Sequence, residues 1–455
     1  MIFLRTFVSL LVLAVTGAGL AAILFPGGRR RGLLEFLGLS YILGFGTVGL
    51  VSVVLMMAGA RIGWFLAPVL AVAGGMALLW RRPRELRLPE FSPGALGPLL
   101  VLSLALAVGL WGVLARRNLG YDADAFWSLK AKSLARYGTF RNPDFTVPGT
   151  RPHMGPGYPL LVPAVHAWIY WGTGSMEGGP LRMAMFLFFA ASLAILWSAL
   201  REAVPPVPCG WLTAAFALIP AVQTGDSGGA GGWCDYPLAI FLLIAVLAAG
   251  RWLQSGAWSS AGLSSLALCF VSLTKMEGAL IAGLGLILLA VAGGMRYGLR
   301  GAGLGVAIAA PALLLAVAWA AAREVVLPDP MRDWGSIRRG IYWDRLPDIL
   351  LLTASHMLRF KEWGIAWLAL GAALALQIRA VGRAGALPLW FGLGLIALYV
   401  AIWMAVPGES ARAAMQDNKK RLLLQAFPLF FVWAAWRLPA LGLVPAAAED
   451  VPAGR

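Results

Sequence analysis

The sequence predicts an all-α, polytopic bundle of transmembrane helices with an amphipathic helix in its first large outer loop, and three observations lead there. Of the 455 residues, 60% are hydrophobic and 13% charged, about half the roughly 25% charge of a soluble domain. Mean hydropathy is +0.78. The apolar residues gather in runs of about 16–25, near the length at which a helix crosses the hydrocarbon core with every backbone group satisfied. An ordinary soluble enzyme is excluded. The formal charge of +16 does not indicate nucleic acid, because the Arg residues sit in short clusters between apolar runs, where topology and lipid phosphate account for them.

About thirteen spans are expected, near residues 5–25, 34–58, 62–80, 96–115, 181–200, 209–224, 235–250, 258–273, 277–294, 302–322, 362–380, 386–405 and 421–438. The first has a cationic start, Arg5, and small residues from Ala18 to Ala22, as a signal peptide has, but further spans follow at once and it is read as retained. Residues 1–95 form a three-helix extension, 96–440 one integral domain without visible repeats, and 441–455 a loose tail.

Orientation follows from Arg. The loops holding Arg29, Arg30 and Arg31, and Arg81, Arg82, Arg84 and Arg87, are placed in the cytoplasm, whereas the loop between them holds only Arg61. The span at 96–115 then delivers residues 116–154 to the outer face. The stretch from Pro156 to Trp171 either crosses the membrane or lies in its outer surface. Three prolines, a histidine and an aromatic end favour a broken interfacial helix, which puts Arg251, Arg296, Arg300, Arg379 and Arg383 inside and the loops 323–361 and 406–421 outside.

The outer loop opens on Tyr121, Asp122, Ala123, Asp124. Trp127, Ala131 and Leu134 then recur at helical spacing, with Ser128, Lys132 and Arg136 on another face and Gly138 as a stop. This amphipathic helix is expected to turn its cations toward head groups and to set Trp127 at the interface. Asp122 or Asp124 either caps that helix or acts as a base beside Lys130 and Lys132; Asp-x-Asp also suits a shared divalent cation, a weak signal alone.

Asp235 stands at the mouth of a helix after a Gly-rich island from Gly225 to Gly232. It is either an N-cap or a functional acid, since a charge near the bilayer needs water or a partner. Lys275 and Glu277 lie between two apolar runs, either snorkelling or sharing a site with Asp235 on the same outer face. Arg338 and Arg339, amid Trp334, Tyr342 and Trp343, are solvated or suited to a sugar phosphate. Lys419, Lys420 and Arg421 either anchor a helix end or bind anionic lipid. The histidines lack zinc spacing; His153, close to Tyr158, is a candidate substrate contact, and His166 is expected to pack beside Trp168. Cys209, Cys234 and Cys269 form no disulfide framework or thiolate metal site.

In order, these segments (YDADAFWSLKAKSLARYG, GYPLLVPAVHAWIYWGTG, DYPLAIFLLIA, LTKMEG, KKRLLLQAFPL) resemble the bacterial GT-C superfamily of integral-membrane glycosyltransferases over roughly residues 96–440. The pattern is similar to protein mannosyltransferases, the aminoarabinose transferase of lipid A and lipopolysaccharide sugar transferases. The resemblance implies a catalytic domain at 96–440 in a bacterial inner membrane, with its active site on the periplasmic or extracellular face. It implies Asp122 as general base with Asp124 as understudy, Asp235 as second acid and Lys275 as phosphate ligand. Here Ala123 separates the two aspartates, where the family commonly has Asp-Glu. The implied donor is a sugar on a polyprenyl phosphate, and the acceptor a hydroxyl of a glycan, lipid or protein. With no extramembrane segment beyond about 40 residues, there is no room for a nucleotide-sugar domain. Expected contacts to the leaving phosphate are Lys130, Lys132, Lys275, Arg338, Arg339 and Arg421, with His153, Tyr158 and Glu277 lining the site. No cofactor is needed on this reading; a divalent cation is the alternative if Asp122, Asp124 and Asp235 converge. The rival from another class is a secondary transporter or lipid flippase, which would carry repeats and ionisable groups near mid-span.

Overall fold

A computed structural model describes residues 1–24, 31–81, 86–87, 93–115, 123–147, 157–223, 228–229, 231, 234–326, 341–376, 386–405 and 411–444; at 31, 87, 93, 123–125, 325–326 and 411–420 it describes the backbone alone. In chain order the helices are α1 (Ile2–Leu24), α2 (Leu33–Met57), α3 (Leu66–Arg81), α4 (Leu96–Ala115), α5 (Leu129–Tyr137), α6 (Pro143–Thr146), α7 (Leu161–Thr173), α8 (Gly178–Leu200), α9 (Pro206–Leu218), α10 (Pro220–Gln223), α11 (Asp235–Ser255), α12 (Trp258–Ser272), α13 (Glu277–Val326), α14 (Leu346–Met357), α15 (Phe360–Trp363), α16 (Ala366–Leu376), α17 (Leu387–Ala405) and α18 (Ala411–Arg437). Apart from these there is a two-residue parallel pairing of Arg31–Gly32 with Leu86–Arg87. The protein is all-helical, with the character of a multi-pass membrane protein.

Among the described residues, α1, α2, α4, α8, α11, α13 and α17 are long and apolar enough to cross a membrane, so seven helices meet that measure rather than the thirteen expected. The shortfall has local causes. The stretches 277–294 and 302–322 are two legs of α13, which folds back at Gly298, where φ is 66° and ψ −156°. Only a residue without Cβ adopts that turn readily. The helices α3, α9, α12 and α16 are apolar but have only 10–17 residues. Pro220 breaks the run after α9, so its continuation α10 is a separate turn. The first half of α18 carries Arg412, Asp417, Lys419, Lys420 and Arg421, leaving too short an apolar remainder.

Connected helices run mostly antiparallel, so polar loops collect at two ends. One end joins the α2–α3 turn to α5 (Ile62 N–H to Gly138 O, 2.7 Å) and α7 to the α12–α13 turn (Leu161 N–H to Leu273 O, 3.0 Å). The opposite end holds Arg251 between Glu35 and Glu202, each at 2.7 Å, and Trp436 Nε1 donating to Ala199 O at 2.7 Å. Both ends of α7 lie at the first of these: a Cβ on Gly172 would stand 2.3 Å from Ser9 Oγ, near the start of α1. The helix therefore does not run from end to end; it is continuous from Leu161 to Thr173, with nearly all of its residues buried in the bundle.

The core is continuous through α1, α2, α7, α8, α11, α12, α17 and α18. Between α1 and α2 the backbones touch: a Cβ on Gly44 would stand 1.8 Å from Leu13 O, and one on Gly17 1.8 Å from Ser40 O. Small residues let helices approach this closely where lipid gives no hydrophobic push. Gly44→Val is expected to force the pair apart at a cost of at least about 1–3 kcal/mol, read as thermal stability of the purified protein. Gly112→Val, in α4 with no atom within 4 Å of the added Cβ, is the matched control and should be near neutral.

Candidate functional site

At the end where α7 meets the α12–α13 turn, three segments distant in sequence, α11, that turn and α18, bring their charges together. The helix α11 starts at Asp235, with Pro237 in the first turn, where its missing N–H leaves no hydrogen bond unmade. Cys234 occupies the cap position without a side-chain bond, so Asp235 is not the N-cap. Its carboxylate is fully buried and points sideways into the bundle. Oδ1 accepts from Lys275 Nζ at 2.8 Å and from Gln425 Nε2 at 2.8 Å, and Oδ2 from Arg421 Nε at 3.1 Å. Arg421 and Gln425 are one turn apart on α18 and so share a face. Gln425 Oε1 accepts in turn from the Tyr399 hydroxyl of α17. Lys275, in the turn before α13, also meets Glu277 Oε1 at 3.0 Å.

Two carboxylates thus face two cations with no net charge. That balance is what permits ions in an apolar interior, since an unpaired one costs several kcal/mol. The start of α11 adds to it, as the positive end of the helix dipole favours a carboxylate there. Burial works against the Lys275 ammonium, but Asp235 and Glu277 outweigh it and hold its pKa above the ordinary lysine value. Lys275 is therefore a permanently charged, fixed cation.

Beside this balanced cluster lies a buried amine without a hydrogen-bond partner among the described residues. A π-turn over Ala123–Ser128 leads into α5, which Gly138 closes with φ 70° and its N–H on Leu134 O. The expected amphipathic helix is present, but not all its faces are as expected. Lys130 is fully buried rather than turned to head groups, and Trp127 is 1% exposed rather than interfacial. Ser128 is buried too and shares a 2.7 Å hydrogen bond with the Tyr170 hydroxyl of α7. The reason is that α5 packs on α7, so the face that looked polar in one dimension is covered. Lys130 Nζ lies 3.5 Å from the Phe126 ring centre, 4.4 Å from Trp127 and 4.9 Å from Tyr158, and has no hydrogen-bond partner. Burial pushes its pKa well below the lysine range, opposed only by Cys234.

Tyr158 connects the two parts. Its ring meets Phe126 edge-on at 5.0 Å and Trp127 at 5.8 Å. Its phenol is raised by burial and then by Glu277 and Asp235, against Lys275 and Arg421.

Of the residues singled out in sequence, Asp235, Lys275, Glu277 and Arg421 come together, with Lys130 and Tyr158 adjoining. Lys132 is half-buried on α5. Asp122, His153, Arg338 and Arg339 lie outside the described residues, as does the side chain of Asp124. Gln425 and Tyr399 were not anticipated: a Gln four residues after Arg421 inside an apolar run was a usable signal, whereas nothing marks Tyr399. His166 is buried in α7 and meets Phe45 edge-on at 6.4 Å. The three cysteines are buried free thiols. Among the described residues no three His, Cys, Asp or Glu gather as a metal ion requires.

Chemically, the end of the bundle offers a rigid pair of cations, a carboxylate with one unoccupied oxygen (Glu277 Oε2), and a buried amine under aromatic rings. No family model, curated protein or solved structure matches the chain, so what this cluster does has to follow from its own geometry.

Proposed function

We propose that the protein is an integral-membrane glycosyltransferase that moves a sugar from a polyprenyl-phosphate donor to an acceptor hydroxyl, with inversion, on the outer face of a bacterial inner membrane. The observation that carries this reading is the gathering of Asp235, Lys275, Glu277 and Arg421 from α11, the α12–α13 turn and α18 at one end of an apolar bundle, next to the helix that follows Asp122 and Asp124. The order of those segments is that of the GT-C resemblance. Ionisable groups at one end, rather than along mid-span, favour surface chemistry over a transport path.

On this reading thirteen crossings place the cluster outside, the shorter helices completing spans with their neighbours. Asp122, or Asp124, takes the proton of the acceptor hydroxyl. Lys275 and Arg421, with Arg338 and Arg339, meet the departing polyprenyl phosphate, whose negative charge grows as the glycosidic bond breaks. Asp235 touches neither substrate: both its oxygens are taken, and it is a positioning residue that aims the two cations. Lys130 supplies a further positive charge once an anion is near enough to restore its proton.

Purified protein incubated with radiolabelled polyprenyl-phosphate sugars and membrane extracts tests the reading. Label should pass to an acceptor, and Asp122→Asn should reduce transfer by a factor on the order of 100–10,000. Transfer undiminished in both Asp122→Asn and Asp124→Asn would remove the assigned base, and no transfer from any such donor would remove the function.

A further inference from the structure

The charge cluster contains one polar atom that nothing explains. Asp235 has both oxygens occupied, by Lys275 and Gln425 on one and Arg421 on the other. Glu277 does not: Oε1 meets Lys275 at 3.0 Å, while Oε2 is buried and without a hydrogen-bond partner. Buried acceptors left unmade are few in native proteins, and an ionised one is the costlier kind. The side chain as a whole is 23% exposed, so it stands at the mouth of the cluster and not in its depth. Lys130 Nζ, 4.9 Å from the Tyr158 ring centre, is another buried polar atom without a hydrogen-bond partner among the described residues.

We propose that Glu277 reads the donor sugar: its Oε2, without a hydrogen-bond partner among the described residues, accepts a hydrogen bond from a hydroxyl of the transferred residue. The inference rests on the glycosyltransferase reading and deepens it by naming a specificity-determining residue. Three features suit Glu277 to this task and not to that of base. Its Oε1 is already taken by Lys275 at 3.0 Å, and a carboxylate accepts hydrogen bonds without donating them. A hydroxyl donating to a carboxylate makes a charge-assisted bond, stronger than one to a neutral group. The first residue of α13 is fixed by the Lys275–Gly278 turn, whose Gly278 N–H binds Lys275 O at 3.0 Å, so the carboxylate is aimed before a ligand arrives. A site built around such an acceptor rejects analogues that lack the hydroxyl, because the acceptor is then left buried and unmade.

The test uses the full chain in lipid nanodiscs and two probes, bare polyprenyl phosphate and the same lipid bearing a hexose, with binding followed by quenching of tryptophan fluorescence. Wild type should bind the hexose-bearing lipid about 10- to 100-fold tighter than the bare one. Glu277→Gln should abolish that preference, its affinity falling much further for the hexose-bearing lipid than for bare polyprenyl phosphate, and Glu277→Asp should retain part of the preference. Equal affinity of wild type for the two probes would overturn the inference, as would a preference that survives Glu277→Gln. A parallel loss for both probes in Glu277→Gln would assign the residue a structural role and also overturn it. The readout is independent of catalysis: a wild type that shows the preference yet transfers no sugar would sink the transferase reading while leaving Glu277 as a sugar contact.

Discussion

Asp235→Asn is expected to be among the most damaging single changes in the protein, with a loss of about 3–5 kcal/mol, the usual cost of removing one partner from a buried ion pair. The substitution keeps the shape but leaves Lys275 and Arg421, two cations, against Glu277 alone, in a place where Asp235 is fully buried and Lys275 is 4% exposed. The diagnostic measurement is a double-mutant cycle. Asp235→Asn with Lys275→Met restores charge balance, one carboxylate against one guanidinium, and should recover part of the stability that Asp235→Asn alone loses. Additive losses in the double variant would show that charge pairing is not what the cluster contributes. Sugar transfer, on the proposed reading, stays low in both, since the cation aimed at phosphate is misplaced in one and absent in the other.

Lys130→Met should act in the opposite sense on stability. The amine is fully buried without a hydrogen-bond partner among the described residues, so an apolar chain of similar length removes a buried polar group and keeps the contacts with Phe126, Trp127 and Tyr158. A gain on the order of 1–3 kcal/mol is expected, together with a loss of affinity for polyprenyl phosphate of about 10- to 100-fold if the amine meets that anion. The pH dependence carries a definite sign. With the folded pKa of Lys130 lowered and the unfolded one near 10.4, the unfolded chain holds more protons between those values. Wild-type stability therefore rises with pH across that window and levels off above it. Lys275, whose pKa is raised, contributes fully below about 10.4 and is lost only as pH climbs beyond, so the two effects separate. Lys130→Met should abolish the rise, and a rise that persists in the variant would place its origin elsewhere.

Much of the fold was legible because lipid imposes a one-dimensional rule. A run long enough to span must be helical, whatever its neighbours, so the order of helices and the Gly138 stop followed from local residues. The number of full spans did not follow. Length is set by where a proline or a charge ends a run and by which runs join, and the hairpin at Gly298 is visible only once its two legs lie side by side. The shared end of Asp235 and Lys275 came from counting crossings and Arg clusters.

What the sequence determined alone is the membrane-helical class and the set of charged residues that cannot rest in lipid unpaired, because both depend on transfer free energies of single side chains. What only the tertiary structure decided is how those charges are settled. Asp235 is saturated by Gln425 as well as by its cations, Glu277 keeps one oxygen unclaimed, and Lys130 lies under aromatic rings when its spacing suggested open water. Pairing and desolvation are properties of neighbours brought together from distant parts of the chain, and no local pattern encodes them.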